Sequence, residues 1–150
     1  MNMKITNPML VGIIELMRIE NTPERRRVFM EEVAKATLIT PAYVEARPGF
    51  DENGEIAIKD ESRIQMPMLS SKDGEKFFMA FTDIEEMKKF LRGNAPHVLA
   101  LKFDELYGMV MEEGTNACGF VINPQTSNIV INKETLKAIR LVKEQLDAGY

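Results

Sequence analysis

The sequence predicts a single domain of the mixed α/β class, in which a partly antiparallel sheet of about five or six strands is flanked by about five helices. Three observations lead to this prediction. The chain has 150 residues, of which 45% are hydrophobic and 28% charged, which is typical of one globular domain. Two helical patterns open the chain, and strand and helix patterns alternate in its second half. We expect this domain to occupy residues 1–150, without a second domain.

Two helices are predicted at the start of the chain, each introduced by a polar residue before a proline. Asn7 and Thr22 take the N-cap position, and the proline that follows each of them suits the first helical position. In the first helix the apolar residues recur at helical spacing: Leu10, Ile13, Ile14 and Met17. Because only about two or three residues separate the two patterns, we predict an N-terminal antiparallel helical hairpin.

Strand patterns follow between residues 37 and 81. Residues 37–46 are rich in β-branched and aromatic side chains and predict a strand, in which Pro41 indicates an edge or a bend. Residues 47–62 are polar and predict a surface loop with a hairpin turn at Asn53-Gly54. Apolar side chains then alternate on both sides of Asp73-Gly74, which predicts a β-hairpin: Ile64, Met66, Met68, Phe77, Met79 and Phe81.

The second half of the chain alternates strands and helices. Thr82 and Glu85 form a capping-box pattern, in which the threonine oxygen accepts from the third helical N–H, so a helix is predicted from there to Gly93. The remaining elements are a strand at 98–103, a helix at 104–113, strands at 119–122 and 129–131, and a helix at 133–146. Two strand–helix–strand units in succession predict parallel pairing of their strands.

Charge and hydropathy exclude several classes of function. The net charge is −4, from 19 basic and 23 acidic side chains, and no third of the chain has a strongly basic excess. We therefore expect no nucleic-acid partner. The apolar run at residues 9–14 is too short to span a membrane and lacks the flanks of a signal peptide. We therefore expect no membrane association and a cytoplasmic location.

The residue types that carry catalysis or hold metals are scarce. Cys118 and His97 are the only thiol and the only imidazole, each near the start of a predicted strand. We predict that Cys118 packs in the core and that His97 lies at a loop edge, rather than that they form a nucleophile pair. One Cys and one His cannot build a tetrahedral zinc site, and residues 51–55 lack calcium-loop spacing. We expect no cofactor, no metal site and no enzymatic activity.

Two compositional features favour ordinary structural roles. The basic run Arg25-Arg26-Arg27 is surrounded by acidic residues, so a solvated helix face is favoured over a site for an acidic partner. The chain contains 11 methionines, most of them at core-facing positions of the predicted helices and strands. The alternative for some of them is an adaptable binding surface, which flexible thioethers suit.

Three segments of the chain resemble blocks of a known family. The first segment contains Asn7-Pro8-x-Leu10, Thr22-Pro23-Glu24, Phe29 and Leu38-Ile39-Thr40-Pro41; the others are FFMAFTDIEE at 77–86 and GFVINP at 119–124. Over residues 7–132 the sequence resembles the N-terminal domain of SseB, a family named for enhanced serine sensitivity. Met79 stands where that family often has a small residue or proline. The resemblance implies a cytoplasmic α/β domain of bacterial origin and supplies no catalytic residue.

Three functions stay open from the sequence. The favoured one is a non-catalytic module that binds a protein partner, because proline-marked sheet edges can accept a strand; self-association of the chain is left open. The first alternative is sensing of an amino acid or metabolite by polar groups at the carboxyl ends of parallel strands: Thr82, Asp83, Asp104 and Asn123. The second is an enzyme of unrecognised type that uses Asp83 or Asp104 as acid or base.

Overall fold

The computed structural model describes residues 5–45, 48–50, 56–58, 63–91 and 97–149, which form five helices and nine strands. The helices are α1 (Pro8–Ile19), α2 (Pro23–Lys35), α3 (Ile84–Leu91), α4 (Phe103–Met111) and α5 (Lys133–Asp147). The strands are β1 (Thr37–Glu45), β2 (Pro48–Phe50), β3 (Ile56–Ile58), β4 (Arg63–Gln65), β5 (Met68–Ser70), β6 (Lys76–Ala80), β7 (His97–Lys102), β8 (Ala117–Ile122) and β9 (Ile129–Asn132). The mixed α/β class is confirmed. Among the described strands, five have four residues or more and the other four are three-residue pieces.

The first two helices pack against each other, but their N-termini are built differently. The hydroxyl oxygen of Thr22 accepts from the backbone N–H of Arg25 at 3.2 Å, so the predicted cap of α2 is confirmed. Asn7 stands at the predicted N-cap position of α1, but its side chain does not cap the helix: Nδ2 donates instead to the carbonyl oxygens of Thr37 at 2.9 Å and Thr82 at 2.7 Å. Asn7 therefore ties the start of α1 to the sheet instead of capping the helix.

Two described sheets are joined by one bridge. In the first, β1 pairs antiparallel with β7 and, further along, with β4; in the second the order is β5-β6-β8-β9. Ile39 of β1 and Phe81, just after β6, connect them, each donating its N–H to the other's carbonyl oxygen at 2.9 and 2.8 Å. Strands β2 and β3 form a separate antiparallel pair. The sheets thus meet where β6 ends, beside the predicted site residues.

The predicted pairing of the second half is partly wrong. Of the described strand pairs, only β6 and β8 are parallel. Strand β7, which follows α3 in the chain, pairs antiparallel with β1 over Thr37–Ala42 instead of lying between β6 and β8. The connection rule assumes that consecutive strands become neighbours. In this protein β7 pairs instead with β1, which lies much earlier in the chain and offers free backbone N–H and C=O groups.

Pro41 lies within β1 and not on an edge strand, contrary to the edge predicted from the sequence. It is opposite Val98 of β7, between the bridge at Ile39 and the pairing with β4 that begins at Tyr43. Backbone groups alternate in direction along an antiparallel strand, and the N–H of Ile39 points away from β7 towards Phe81. The nitrogen of Pro41 points the same way, so its missing N–H removes no bond to β7.

The two hairpin predictions have different outcomes. The turn at Asn53-Gly54 lies outside the described residues, although β2 and β3 on either side of it pair with each other. The hairpin around Asp73-Gly74 is confirmed: β5 pairs antiparallel with β6, and Gly74 adopts a φ of +82° that favours glycine. The strand predicted from Ile64 is divided at Pro67, with β4 pairing with β1 and β5 with β6.

The core of the described residues forms two clusters. The larger one joins helices α1, α2, α4 and α5 to the sheets, and its fully buried large side chains include Leu10, Phe103, Phe120, Leu136 and Ile139. The smaller one contains Ile39, Met79, Phe81 and Met87 and is covered by α3. In the part of the chain that is described, every helix is too short or too polar to cross a bilayer.

Candidate functional site

Three of the four predicted site residues lie together at the ends of β6 and β8. Thr82 and Asp83 follow β6, and Asn123 directly follows β8. Because β6 and β8 are parallel neighbours, their carboxyl ends reach the same edge of the sheet. Thr82 is fully buried and Asn123 almost so, while Asp83 is half-buried. The arrangement is the one expected from the sequence for these three residues.

Asn123 is the centre of this group. Its Oδ1 accepts from the backbone N–H of Thr82 at 3.0 Å, and its Nδ2 donates to the hydroxyl of Thr82 at 3.0 Å. Its own backbone is left-handed, with a φ of +49°, a conformation that asparagine tolerates better than most residues. Its carbonyl oxygen also accepts from the N–H groups of Thr126 and Asn128. One side chain thus locks the turn after β8 to the turn after β6.

Asp83, and not Thr82, caps α3. The Oδ1 of Asp83 accepts from the backbone N–H of Glu86 at 2.9 Å, and its Oδ2 accepts from the hydroxyl of Thr82 at 2.9 Å. The capping box predicted for Thr82 is therefore wrong by one residue. The threonine hydroxyl is engaged elsewhere: it accepts from the amide of Asn123, 41 positions away, and donates to Asp83. With Asn7, which donates to the carbonyl oxygen of Thr82, these residues form what we call the polar network.

A cavity of about 260 Å³ lies beside the polar network. Its lining comes from α1, from α3 with the turn before it, and from the turn after β8: Val11, Ile14, Glu15, Arg18, Asp83, Glu86, Lys89, Asn123, Thr126 and Ser127. The charges are largely paired within the protein. Glu15 lies 3.5 Å from Arg18, and Glu86 lies 3.1 Å from Lys89 while also accepting from the hydroxyl of Thr126 at 2.7 Å. The cavity is polar, with charges of both signs.

The structure does not bring Asp104 to the other three residues. It lies in the first turn of α4 and its Oδ2 is 3.0 Å from Nζ of Lys143 on α5. It lines a different cavity, of about 400 Å³, together with Lys102 and Asp147. The hydrogen bond to Asp104, followed by that to Asp147, raises the pKa of Lys143. Asp104 is separated from the network because β7, which precedes it, pairs with β1.

Cys118 and His97 do not form a pair. Cys118 is half-buried on β8, where it is the extra residue of a bulge: Lys76 is opposite Ala117, and Phe77 is opposite Gly119. The core position predicted for Cys118 is therefore wrong. His97 is exposed at the start of β7. Strands β7 and β8 are not neighbours, and no group of three His, Cys, Asp or Glu side chains suited to a metal occurs among the described residues.

Gly119, next to the bulge, has a conformation and surroundings that require glycine. Its φ is +155°, and a Cβ at this position would overlap the carbonyl oxygen of Ile131 on β9. Two residues of the 119–124 segment thus have structural roles: Gly119 lets β9 approach β8, and Asn123 joins the following turn to Thr82.

The basic run on α2 is used within the fold. The guanidinium Nη1 of Arg25 donates to the carbonyl oxygens of Leu16 and Glu20 at 2.6 and 3.0 Å, which satisfies the C-terminal end of α1. Arg27 donates to the side-chain oxygen of Gln145 on α5 at 2.8 Å. These arginines connect three helices, which goes beyond the solvated face predicted from the sequence.

One surface was missed by the sequence analysis. Helix α1 buries Leu10, Ile13 and Ile14, yet its opposite side is also apolar. Met9 is 68% exposed, Leu16 45% and Ile19 79%. Together with the exposed Gly12 these residues recur at i, i+3, i+7 and i+10, and we call them the α1 outer face. The signal was present in the sequence, since Glu15 and Arg18 are the only charged residues of α1.

The comparisons with known proteins identify a family. The family model described as the SseB protein N-terminal domain matches residues 12–138. No curated protein and no solved structure matches the chain. The family match confirms the resemblance predicted from the segments at residues 77–86 and 119–124. The chain therefore belongs to the SseB protein N-terminal domain family.

Proposed function

We propose that the chain is a non-catalytic protein-interaction module of a bacterial, cytoplasmic SseB-like protein, and that a protein partner docks on the α1 outer face. The observation that supports this is the exposure of Met9, Leu16 and Ile19 on one side of one helix. Covering each such side chain stabilises a complex by up to about 1.5–3 kcal/mol relative to leaving it in water. Contiguous exposed apolar surface of this kind typically marks an interaction site.

A comparison within the protein supports the significance of this surface. Helix α5 follows the ordinary amphipathic pattern, with Leu136, Ile139 and Val142 buried and mostly charged or polar side chains outside. A single large apolar residue of α5, Leu141, is strongly exposed, and isolated cases of this kind need no explanation. In α1 three such residues lie on one line. Helix α1 is therefore apolar on its exposed side as well as on its buried side. A helix that packs against the protein on one side only requires apolar residues on that side alone.

The non-catalytic part of the proposal is supported by how the polar side chains are used. Both carboxylate oxygens of Asp83 accept hydrogen bonds from within the fold, and the amide of Asn123 both donates and accepts. Glu86 is held by Lys89 and Thr126. A general acid or base needs a free oxygen facing its substrate. Asp83 instead caps α3 and accepts from Thr82, and the other acid or base candidate, Asp104, is paired with Lys143.

The mode of binding differs from the strand addition favoured from the sequence. That expectation rested on prolines at sheet edges. Pro41 lies inside the pairing of β1, whereas Pro67 directly precedes β5, which is an edge strand of its sheet. We favour the α1 outer face because its exposed side chains are large and apolar. A helix face instead binds apolar groups through side chains at i, i+3 and i+7.

Site-specific photo-crosslinking in cells tests the proposal. A photoreactive residue placed at Ile19 is expected to give a discrete adduct with an identifiable protein, and the variant Leu16→Glu is expected to abolish it. The matched control is the same photoreactive residue at Leu141, which is 62% exposed but isolated on α5. Absence of any discrete adduct from position 19, or an adduct that survives Leu16→Glu, contradicts the proposal.

A second candidate function is the sensing of a small molecule in the cavity beside the polar network. It is favoured by the size of the cavity, about 260 Å³, and by charges of both signs from Arg18 and Glu86. Thermal unfolding with a panel of amino acids and small metabolites tests it, since a ligand that binds only the folded state raises the midpoint. The increase is expected to disappear in Arg18→Glu and to persist in Lys137→Glu, a change on the exposed side of α5. If no compound of the panel raises the midpoint of thermal unfolding, this second candidate function is excluded.

A further inference from the structure

Gly12 in the middle of α1 has no role within the fold. A glycine inside a helix costs about 0.5–1 kcal/mol relative to alanine. This cost is usually explained by a positive φ or by a close neighbour, and Gly12 has neither: a Cβ added there would meet nothing within 4 Å. The residue is exposed and lies on the α1 outer face, between Met9 and Leu16. It leaves a notch in an otherwise apolar surface.

The α1 outer face is complementary to itself. Its spacing of three, four and three residues is the same in both directions along the helix. If two copies of α1 pack antiparallel about a two-fold axis at the level of Ile14, Leu16 of each copy lies opposite Gly12 of the other. Met9 then lies opposite Ile19. Leu16 of each copy then fills the notch at Gly12 of the other, and Met9 of each copy contacts Ile19 of the other. The same contacts thus occur twice, as in any isologous interface.

The ends of α1 are complementary in charge under the same symmetry. The first-turn N–H groups of a helix have no partner within the helix. Asn7 does not cap those of α1, because its amide donates to two carbonyl oxygens of the sheet, and the first turn contains no acidic residue. Glu20 follows the other end of α1 and is exposed. The two-fold axis places Glu20 of one copy opposite Pro8 of the other, where negative charge is favourable.

We propose that the α1 outer face binds the α1 outer face of a second copy of this chain, as an antiparallel helix pair with Leu16 seated over Gly12. This inference rests on the proposed function and names the partner. Helix α1 has 12 residues, which makes it about 18 Å long. Such an interface is at the small end of specific ones, so we expect a dimer that dissociates in the micromolar range or above.

Sedimentation velocity of the purified full chain, from about 1 to about 500 μM, measures this equilibrium. The wild type is expected to shift from monomer to dimer within that range. Leu16→Glu is expected to stay monomeric, and Gly12→Leu, which fills the notch, is expected to weaken association by about tenfold or more. Glu20→Lys is expected to weaken it to a smaller degree. Circular dichroism shows whether each variant is folded.

Gly108→Ala is the matched control. Gly108 is also an exposed, mid-helix glycine with nothing within 4 Å of an added Cβ, but it lies on the polar side of α4. The control is expected to associate like the wild type. A wild type that stays monomeric at the highest concentration overturns the inference, as does a dimer whose affinity is unchanged by both Leu16→Glu and Gly12→Leu.

The experiments distinguish failure of the dimer inference from failure of the proposed function. A crosslinked adduct of twice the chain's mass from position 19 supports the dimer. An adduct with a different protein, combined with a monomer in sedimentation, overturns the dimer and supports the proposed function. Loss of both the adduct and the dimer overturns both.

Discussion

The end of the sheet at β8 and the outer face of α1 use their residues in opposite ways. At the sheet end, polar side chains are buried and bonded to one another, as between Asn123 and Thr82. On α1, large apolar side chains such as Ile19 are exposed. Nearly all buried polar groups find a partner within the fold, so the network is explained by the fold alone. The exposed apolar face is not explained by the fold, and it is the basis of the function that we propose.

Gly119 at the sheet end and Gly12 on α1 differ in the same way. Gly119 has a φ of +155° and no room for a Cβ, whereas Gly12 has an ordinary helical backbone and open space around it. One glycine is required by the fold and the other is tolerated at a cost. If the sheet end is structural and the α1 outer face is functional, substitutions in the two regions should separate stability from association.

The largest expected effect is that of Gly119→Ala. The new Cβ overlaps the carbonyl oxygen of Ile131 and the backbone angle is strained for a side chain. We expect the free energy of unfolding to fall by roughly 3 kcal/mol, measured by urea denaturation. A loss below about 1 kcal/mol contradicts the close approach of β9 to β8 at this position.

The next effect is that of Asn123→Ala. It removes both hydrogen bonds to Thr82, leaves a buried N–H without a partner and puts alanine into a left-handed conformation. We expect a loss of roughly 2–3 kcal/mol in the free energy of unfolding. Asn123→Gly is the matched control, because it loses the same bonds but accepts the backbone angle, and it is expected to recover about 1 kcal/mol. Equal losses in the two variants would show that the backbone conformation contributes nothing.

A smaller effect of opposite sign is expected for Gly12→Ala. Because a Cβ at this position meets nothing, the substitution should raise the free energy of unfolding by about 0.5–1 kcal/mol. The measurement is made at low micromolar concentration, where the chain is monomeric by our inference. Gly108→Ala should behave alike, and a destabilised Gly12→Ala would mean that Gly12 has a role inside the fold.

The smallest effect is expected for Asp104→Asn, outside both regions. In the folded protein the pKa of Lys143 is raised, first by its hydrogen bond to Asp104 and then by that to Asp147. A raised lysine pKa stabilises the fold fully below the ordinary lysine value, and this contribution is lost as the pH rises through the raised value. Wild type and variant should therefore differ slightly in melting temperature at pH 7 and converge at strongly alkaline pH.

Asp104 is exposed and Lys143 is partly exposed, so the difference at pH 7 is also expected to shrink in high salt. NMR titration of the Lys143 side chain provides the direct readout, with a lower pKa in Asp104→Asn than in the wild type. An unchanged pKa would contradict the pairing of Lys143 with Asp104.

Much of the fold was predictable because local patterns decide it. The apolar stripe of α1, the cap at Thr22 and the turn at Gly74 each depend on residues within a few positions of one another. The boundaries of α5 and of the parallel strands β6 and β8 also follow from such patterns. The convergence of Thr82, Asp83 and Asn123 was also expected, since parallel strands end at the same edge of a sheet, although the connection rule did not foresee that β6 pairs directly with β8.

What failed in prediction depended on partners far away in the chain. Thr82 has every local feature of a cap, but its hydroxyl accepts a hydrogen bond from the amide of Asn123, and the side chain of Asp83 caps α3. Asn7 resembles a cap too, but it donates to carbonyl oxygens 30 and 75 positions away. Asp104 was expected in the same crevice and is removed from it by the pairing of β7 with β1.

Local sequence thus determined which segments are helices and strands and which faces are apolar, because periodicity and caps act over a few residues. It also contained the apolar outer side of α1, although not the information that this side is uncovered. Tertiary structure alone decided which polar side chains meet, which strand pairs with β1 and which apolar face is left in water. The physical reason is that a hydrogen-bond donor or an apolar face has several possible partners of the right chemistry, and only the folded chain shows which one it contacts.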